Sequence, residues 1–236
     1  MFNLTLKKWG LLAAASLLTT QVLAARPFVT DDARLTTAGS CQLESWQRQY
    51  QNSREFWVLP ACNLHGNFEV TMGAGYAQAT ASPGATDYVL QGKTLFQELS
   101  PNGWGWGLAV GKIAHPSINP GPNLLGNTYA YIPISRSFWD DEVIVHTNLG
   151  TLRDTATGTI NGTWGFGSEI KLTDRTLGIL EMFGDNHNRP YWQVGARYAV
   201  IPNLFQLDAT VGKQWNGFSE SRWFSVGLRL TPSKLF

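Results

Sequence analysis

The stretch Arg222-Trp223-Phe224-Ser225-Val226-Gly227-Leu228-Arg229-Leu230, just ahead of the final residue Phe236, decides the fold. Successive side chains of a strand point to opposite faces. Phe224, Val226, Leu228 and Leu230 therefore share one face, and Trp223, Ser225, Gly227 and Arg229 share the other. A soluble sheet buries its apolar face in a core. A transmembrane barrel turns that face outward to lipid and lines its interior with small and polar groups.

The same alternation recurs upstream. Turn-forming clusters divide the chain from Cys41 onward into twelve stretches, at 41–50, 54–63, 67–77, 86–98, 103–114, 126–138, 142–152, 159–171, 176–184, 190–200, 204–214 and 222–231. Connections at 65–66, 101–102, 140–141, 173–175 and 202–203 are short. Those at 79–85, 115–125, 154–158, 185–189 and 216–221 are longer, and the turn at 51–53 is the exception. Short periplasmic turns and longer external loops, with an even strand number, are features of outer-membrane barrels. The reading is all-β: a single antiparallel transmembrane β-barrel of twelve strands over 41–236. A two-sheet soluble sandwich shares the alternation. The terminal Phe, the export leader and the loop asymmetry favour the barrel.

Composition agrees. Charged residues are 15% of the chain, against about 25% in ordinary soluble domains. Glycines crowd the strands themselves, as in Gly103-Trp104-Gly105-Trp106-Gly107. They would weaken a packed soluble sheet, whereas a lumen needs the space. No stretch reaches the ~18 apolar residues of a spanning helix. Residues 1–25 read as a signal peptide: Lys7-Lys8, an apolar run from Leu11 to Leu18, then Ala24-Ala25 as small residues at a cleavage site. Its removal leaves 16 basic and 17 acidic residues. That balance argues against a nucleic-acid partner or a polybasic lipid binder.

Residues 26–40 carry Asp31, Asp32 and Arg34 and lack a strand pattern. They form a periplasmic lead or a plug that reaches into the lumen through those three side chains. Cys41 and Cys62 flank the first hairpin. Pairing symmetric about its turn sets them opposite one another, and an exported chain can oxidise them to a disulfide. Two buried free thiols are the alternative.

The inward phase selects the candidate lumen residues. Glu44, Arg48, Glu69 and Lys93 come from the first half of the barrel. His146, Glu169, Lys171, Arg197, Asp208 and Arg229 come from the second. Rings of one sign would set ion selectivity. Mixed signs either pair across the lumen and close it or leave a narrow polar passage. An arginine-dominated wall, expected of a sugar-acid channel, is absent from the pattern. His146 shares its face with Asn148, and no serine sits at His-x-Ser spacing. No catalytic residue, metal ligand or cofactor is therefore expected, and the chain is read as a non-enzyme.

Arg26-Pro27-Phe28-Val29-Thr30-Asp31-Asp32-Ala33, followed by Cys41-Gln42-Leu43-Glu44-Ser45-Trp46, resembles the start of a group of uncharacterised proteobacterial outer-membrane barrels. That group is akin to barrels linked to the meta-cleavage pathway of phenol degradation. The resemblance implies an outer-membrane channel for small or hydrophobic compounds and supplies no catalytic residues. The chain end resembles the signal read by the barrel-assembly machinery, although Pro232 and Lys234 depart from its apolar preference.

The functional expectation is a narrow channel for passive passage of small solutes, hydrophobic or aromatic ones included, in the Gram-negative outer membrane. The alternative is a non-transporting structural or surface-interaction barrel with a closed lumen. A lipid-modifying enzyme ranks third. Expected partners are outer-membrane lipid, the assembly machinery through the last strand and Phe236, and a small solute, with the chain monomeric.

Overall fold

The computed structural model describes residues 28–80, 83–114, 128–154 and 157–236. The signal peptide expected over 1–25 and the long loop expected over 115–125 lie outside the described residues. Twelve antiparallel strands run in chain order: β1 (Ser40–Tyr50), β2 (Ser53–Asn63), β3 (Glu69–Ala79), β4 (Ala85–Gln97), β5 (Trp104–Ala114), β6 (Thr128–Phe138), β7 (Val143–Arg153), β8 (Ile160–Thr173), β9 (Thr176–Asp185), β10 (Tyr191–Ile201), β11 (Phe205–Gln214) and β12 (Trp223–Leu230). Each pairs with its sequence neighbours, and β12 returns to β1 to close the barrel. Closure removes the unpaired edges that an open sheet of this size would expose. No described helix is long and apolar enough to cross a membrane.

The sheet is inside-out relative to a soluble protein. Met72, Leu90, Leu149, Phe166 and Phe224 are each at least half exposed on the outer face. Their strand neighbours Thr71, His146, Glu169 and Ser225 are buried in the lumen. In hydrocarbon this orientation places apolar groups against lipid while the closed ladder pairs strand N–H and C=O groups between neighbours.

One end of the barrel carries the turns at 64–68, 98–103, 139–142, 174–175 and 202–204, together with both ends of the barrel sequence. Asn102 and Asn203 adopt positive φ in two of these turns, at 55° and 61°, a conformation Asn tolerates better than most residues. The loop asymmetry is weaker than the sequence predicts, because the turns at 64–68 and 98–103 lengthen where β3 and β5 start late.

β12 stops at Leu230, and the tail turns back over the start of β1. The N–H groups of Leu235 and Phe236 both donate to the Gly39 carbonyl, at 2.9 and 3.1 Å. Gly39 has φ 75°, and a Cβ there would sit 3.0 Å from the Phe236 carbonyl. The disulfide joins Cys41 to Cys62, which are direct cross-strand partners of β1 and β2. Both belong to the outward phase, so the bond staples the first hairpin near the turn end.

Candidate functional site

The lumen and the segment inside it form one polar assembly. Residues 28–39 meet side chains of β3, β4, β6, β7, β8 and β9, so the segment runs within the barrel. At its deep end Phe28 packs edge-on against His146, with ring centroids 5.5 Å apart. The Val29 N–H reaches both oxygens of Glu181, at 2.9 and 3.1 Å, and the Thr30 N–H reaches the same carboxylate at 2.5 Å. Gly165 and Gly167 on β8 make room for this approach. A Cβ at Gly165 would collide with Thr30 Oγ1, and one at Gly167 would lie 2.8 Å from the Phe28 ring.

Farther along, Asp31 and Asp32 face Lys93 of β4. The Lys93 ammonium lies 2.8 Å from Asp31 and 3.4 Å from Asp32. Tyr131 donates its hydroxyl to the other Asp31 oxygen at 2.7 Å. Asn148, with its amide oriented to satisfy its neighbours, donates to the Asp31 carbonyl and accepts the Asp31 N–H, at 2.8 and 2.7 Å. Ala33 donates to Ser135 Oγ at 2.9 Å, and Thr36 donates to Glu69 at 2.7 Å. Arg34 crosses to Glu169 at 3.3 Å, a carboxylate that Arg197 also holds at 2.7 Å. The wall thus serves main-chain N–H groups as well as charges. A segment lacking regular structure has its donors met by wall carboxylates and hydroxyls.

Of the remaining candidates, Glu44 lies 3.5 Å from Arg229, whose guanidinium also donates to Gln42 at 2.5 and 3.2 Å. Arg48 pairs with Glu55 at 3.1 Å and lies over the Trp223 ring at 5.3 Å. Asp208 stands opposite Arg197 in the β10–β11 register. Lys171 departs from its expected place. Its side chain is 44% exposed and pairs with Asp174 at 3.1 Å. It sits where the β8–β9 register shifts between Lys171 and Thr173, beside the turn, so the strand reaches the rim before Lys171 can line the lumen.

Several wall residues were not among the sequence candidates. Glu55, Asp87 and Glu181 are buried and share the inward phase that selected the others, so alternation alone could have found them. Ser135 is the cross-strand partner of His146, a relation no local spacing reveals. Its Oγ lies 2.8 Å from His146 Nδ1 while accepting the Ala33 N–H, and His146 Nε2 is 3.7 Å from Glu169. The resulting Ser–His–Glu row is engaged with the segment and with Arg197, and it docks the segment.

The loop-side half of the lumen is filled differently. Tyr50, Phe183, Tyr191 and Trp223 cluster with ring centroids 5.7–6.3 Å apart. A second group packs Trp57, Tyr129, Tyr131 and Leu152 together, with Trp46 stacked on Trp57 at 5.8 Å. Tyr129 donates its hydroxyl to the Gln91 side-chain oxygen at 2.8 Å, and Tyr131 donates to Asp31 as above, so both polar ends are satisfied.

A family profile described as "Uncharacterised conserved protein UCP029691" matches residues 13–231. The chain belongs to this family. No curated protein matches its sequence. Among solved structures, it is similar to a KdgM porin at TM-score 0.62 and 10% identity, covering 81% of this chain and 99% of that one. A KdgM porin in complex with disordered oligogalacturonate matches at TM-score 0.62 and 9% identity, over 81% and 99% of the two chains. A NanC porin matches at TM-score 0.57 and 7% identity, over 81% and 100%. The fold of this family member is that of these porin barrels.

Proposed function

We propose that this protein is a monomeric outer-membrane channel for small solutes, exported by a cleaved leader over 1–25, with the plug segment 26–40 closing the barrel of 41–236. The observation that carries the reading is the kind of bond holding the segment. From Asp31 to Thr36 it meets the wall through hydrogen bonds and ion pairs, as in Lys93–Asp31 and Arg34–Glu169. At the deep end Phe28 and Val29 add apolar packing, and Glu181 holds the N–H groups of Val29 and Thr30. Water can replace such bonds one for one when the segment leaves, whereas an apolar core would have no such substitute. Outer-membrane lipid on the apolar face and the assembly machinery at the last strand complete the partners.

The porins that share the fold support the channel role. The narrower solute class, small aromatic compounds, is supported by the resemblance of residues 26–46 to phenol-degradation-associated barrels and by the stacked rings of the loop-side lumen. A second reading, a non-transporting barrel, is favoured by the apolar packing of Trp57, Tyr129 and Leu152 across that same half. Planar-bilayer recording of the refolded mature chain separates the two. The channel reading expects rare discrete openings that become frequent when the segment is displaced. A folded barrel that stays silent in both forms contradicts it.

A further inference from the structure

We infer that the opened lumen selects small organic cations, and that Glu69 and Glu181 are the residues that recognise their N–H groups. The inference rests on the channel reading and deepens it.

The charge count comes first. Among the described residues, seven carboxylates of the strands are buried in the lumen against four cations, Arg48, Lys93, Arg197 and Arg229. The wall alone is therefore three charges negative. The segment adds Asp31, Asp32 and Arg34 and does not cancel that excess. A negatively lined pore with low-dielectric walls concentrates cations and excludes anions. Oligogalacturonate, present in the complex of one porin that shares the fold, is a polyanion; this lumen carries the same sign and would repel such a ligand.

The second observation concerns what the carboxylates hold. Among the described residues, Glu181 accepts from neutral donors: the Val29 and Thr30 N–H groups and the Gln193 side-chain amide. Glu69 accepts the Thr36 N–H. These two carboxylates are 5% and 4% exposed, and both lose main-chain N–H donors when the segment withdraws. A buried carboxylate that loses its donors is costly unless they are replaced. An ammonium or guanidinium group replaces the N–H donors and adds the charge that the wall lacks. The segment is thus an intramolecular stand-in for the solute.

The third observation lies along the same path. The Arg48 guanidinium already rests over Trp223, 5.3 Å from the ring centroid, within the aromatic cluster of the loop-side half. Aromatic faces attract cations, so the rings continue a cation path that begins at the carboxylates.

The test uses the full mature chain carrying Gly165→Val, which displaces the segment at Thr30 and changes no charge; Gly167→Val, directed at Phe28, is the second such variant. Heat-modifiable gel mobility certifies folding. Reversal potentials are read in a KCl gradient, and guanidinium chloride is added as a blocker. The expected result is a reversal potential displaced toward the K+ equilibrium value, with guanidinium reducing the K+ current. Adding Glu181→Gln or Glu69→Gln shifts the reversal potential toward zero and weakens the block while current persists. Chloride selectivity, absence of selectivity, or selectivity untouched by both Gln substitutions overturns the inference and leaves the channel standing. Silence from both folded glycine variants overturns the channel reading and the inference with it.

Discussion

Replacing Lys93 by Met should release the segment. Among the described residues, the Lys93 ammonium is the cation nearest both Asp31 and Asp32, at 2.8 and 3.4 Å, and the side chains of Lys93 and Asp32 are only 4% and 3% exposed. Removing one member of a buried pair leaves its partner charged in a poorly solvated place, which costs about 3–5 kcal/mol. The low end applies, because Asp31 keeps the Tyr131 hydroxyl and its own side chain is 19% exposed. The wild-type segment, once withdrawn, meets water with its carboxylates satisfied. The penalty therefore falls on the closed state alone. About 3 kcal/mol shifts the closed-to-open equilibrium roughly 100-fold, at about 1.4 kcal/mol per factor of ten. Trypsin reads this shift directly, since Arg34 lies inside the segment and is cut only when it leaves. Cleavage tracks the open population while reclosing is faster than cutting. The K93M barrel should keep its heat-modifiable mobility while cleavage after Arg34 accelerates about 100-fold. Cleavage rates within about threefold of wild type would refute the claim that ion pairing on Lys93 holds the segment in.

Further outcomes follow from the same contacts. Arg34→Gln should raise channel opening frequency about tenfold, far less than K93M, because removing one charged hydrogen bond costs about 1.5 kcal/mol and Glu169 retains Arg197 at 2.7 Å; an effect as large as that of K93M would show that Glu169 depends on Arg34. Replacing Cys41 and Cys62 by Ser opens a loop of sequence separation 21 and should lower barrel stability by roughly 3 kcal/mol, seen as an earlier urea midpoint in detergent. Val226→Arg on the outer face, where Val226 is 45% exposed, should cost about 2–4 kcal/mol when refolding into vesicles; no penalty would mean that this face does not meet lipid.

The strands were legible in the sequence because period-two alternation is a local signal and the lipid face repeats it in every strand. The strand ends fall within two residues of those expected, as for β1 at Ser40–Tyr50 and β8 at Ile160–Thr173. The inward phase carried most of the lumen with it, from Glu44 to Arg229. It failed at Lys171, where phase is right but height is wrong: a register shift near the turn puts the residue at the rim. Alternation tells which way a side chain points and says nothing of its depth. The segment was legible only as a polar stretch without strand pattern. Its partners Glu181, Ser135 and Lys93 lie 151, 102 and 62 positions from Thr30, Ala33 and Asp31. Contacts that join a strandless segment to the far wall leave no periodic trace. Gly165 and Gly167 could be read as small lumen residues, but that they make room for Thr30 and Phe28 follows only from the folded barrel.

The account rests on residues 28–39 closing a lumen that conducts when they leave. A reversible lock tests this most directly. Thr30 Cβ lies 3.2 Å from where a Cβ on Gly165 would stand, a few tenths short of the usual Cβ separation in a disulfide. The chain carrying Thr30→Cys and Gly165→Cys, oxidised, should be silent in a planar bilayer and should open in discrete steps on reduction, with wild type plus reductant as the control. Equal current from the oxidised and reduced forms, whether silent or conducting, would contradict the account.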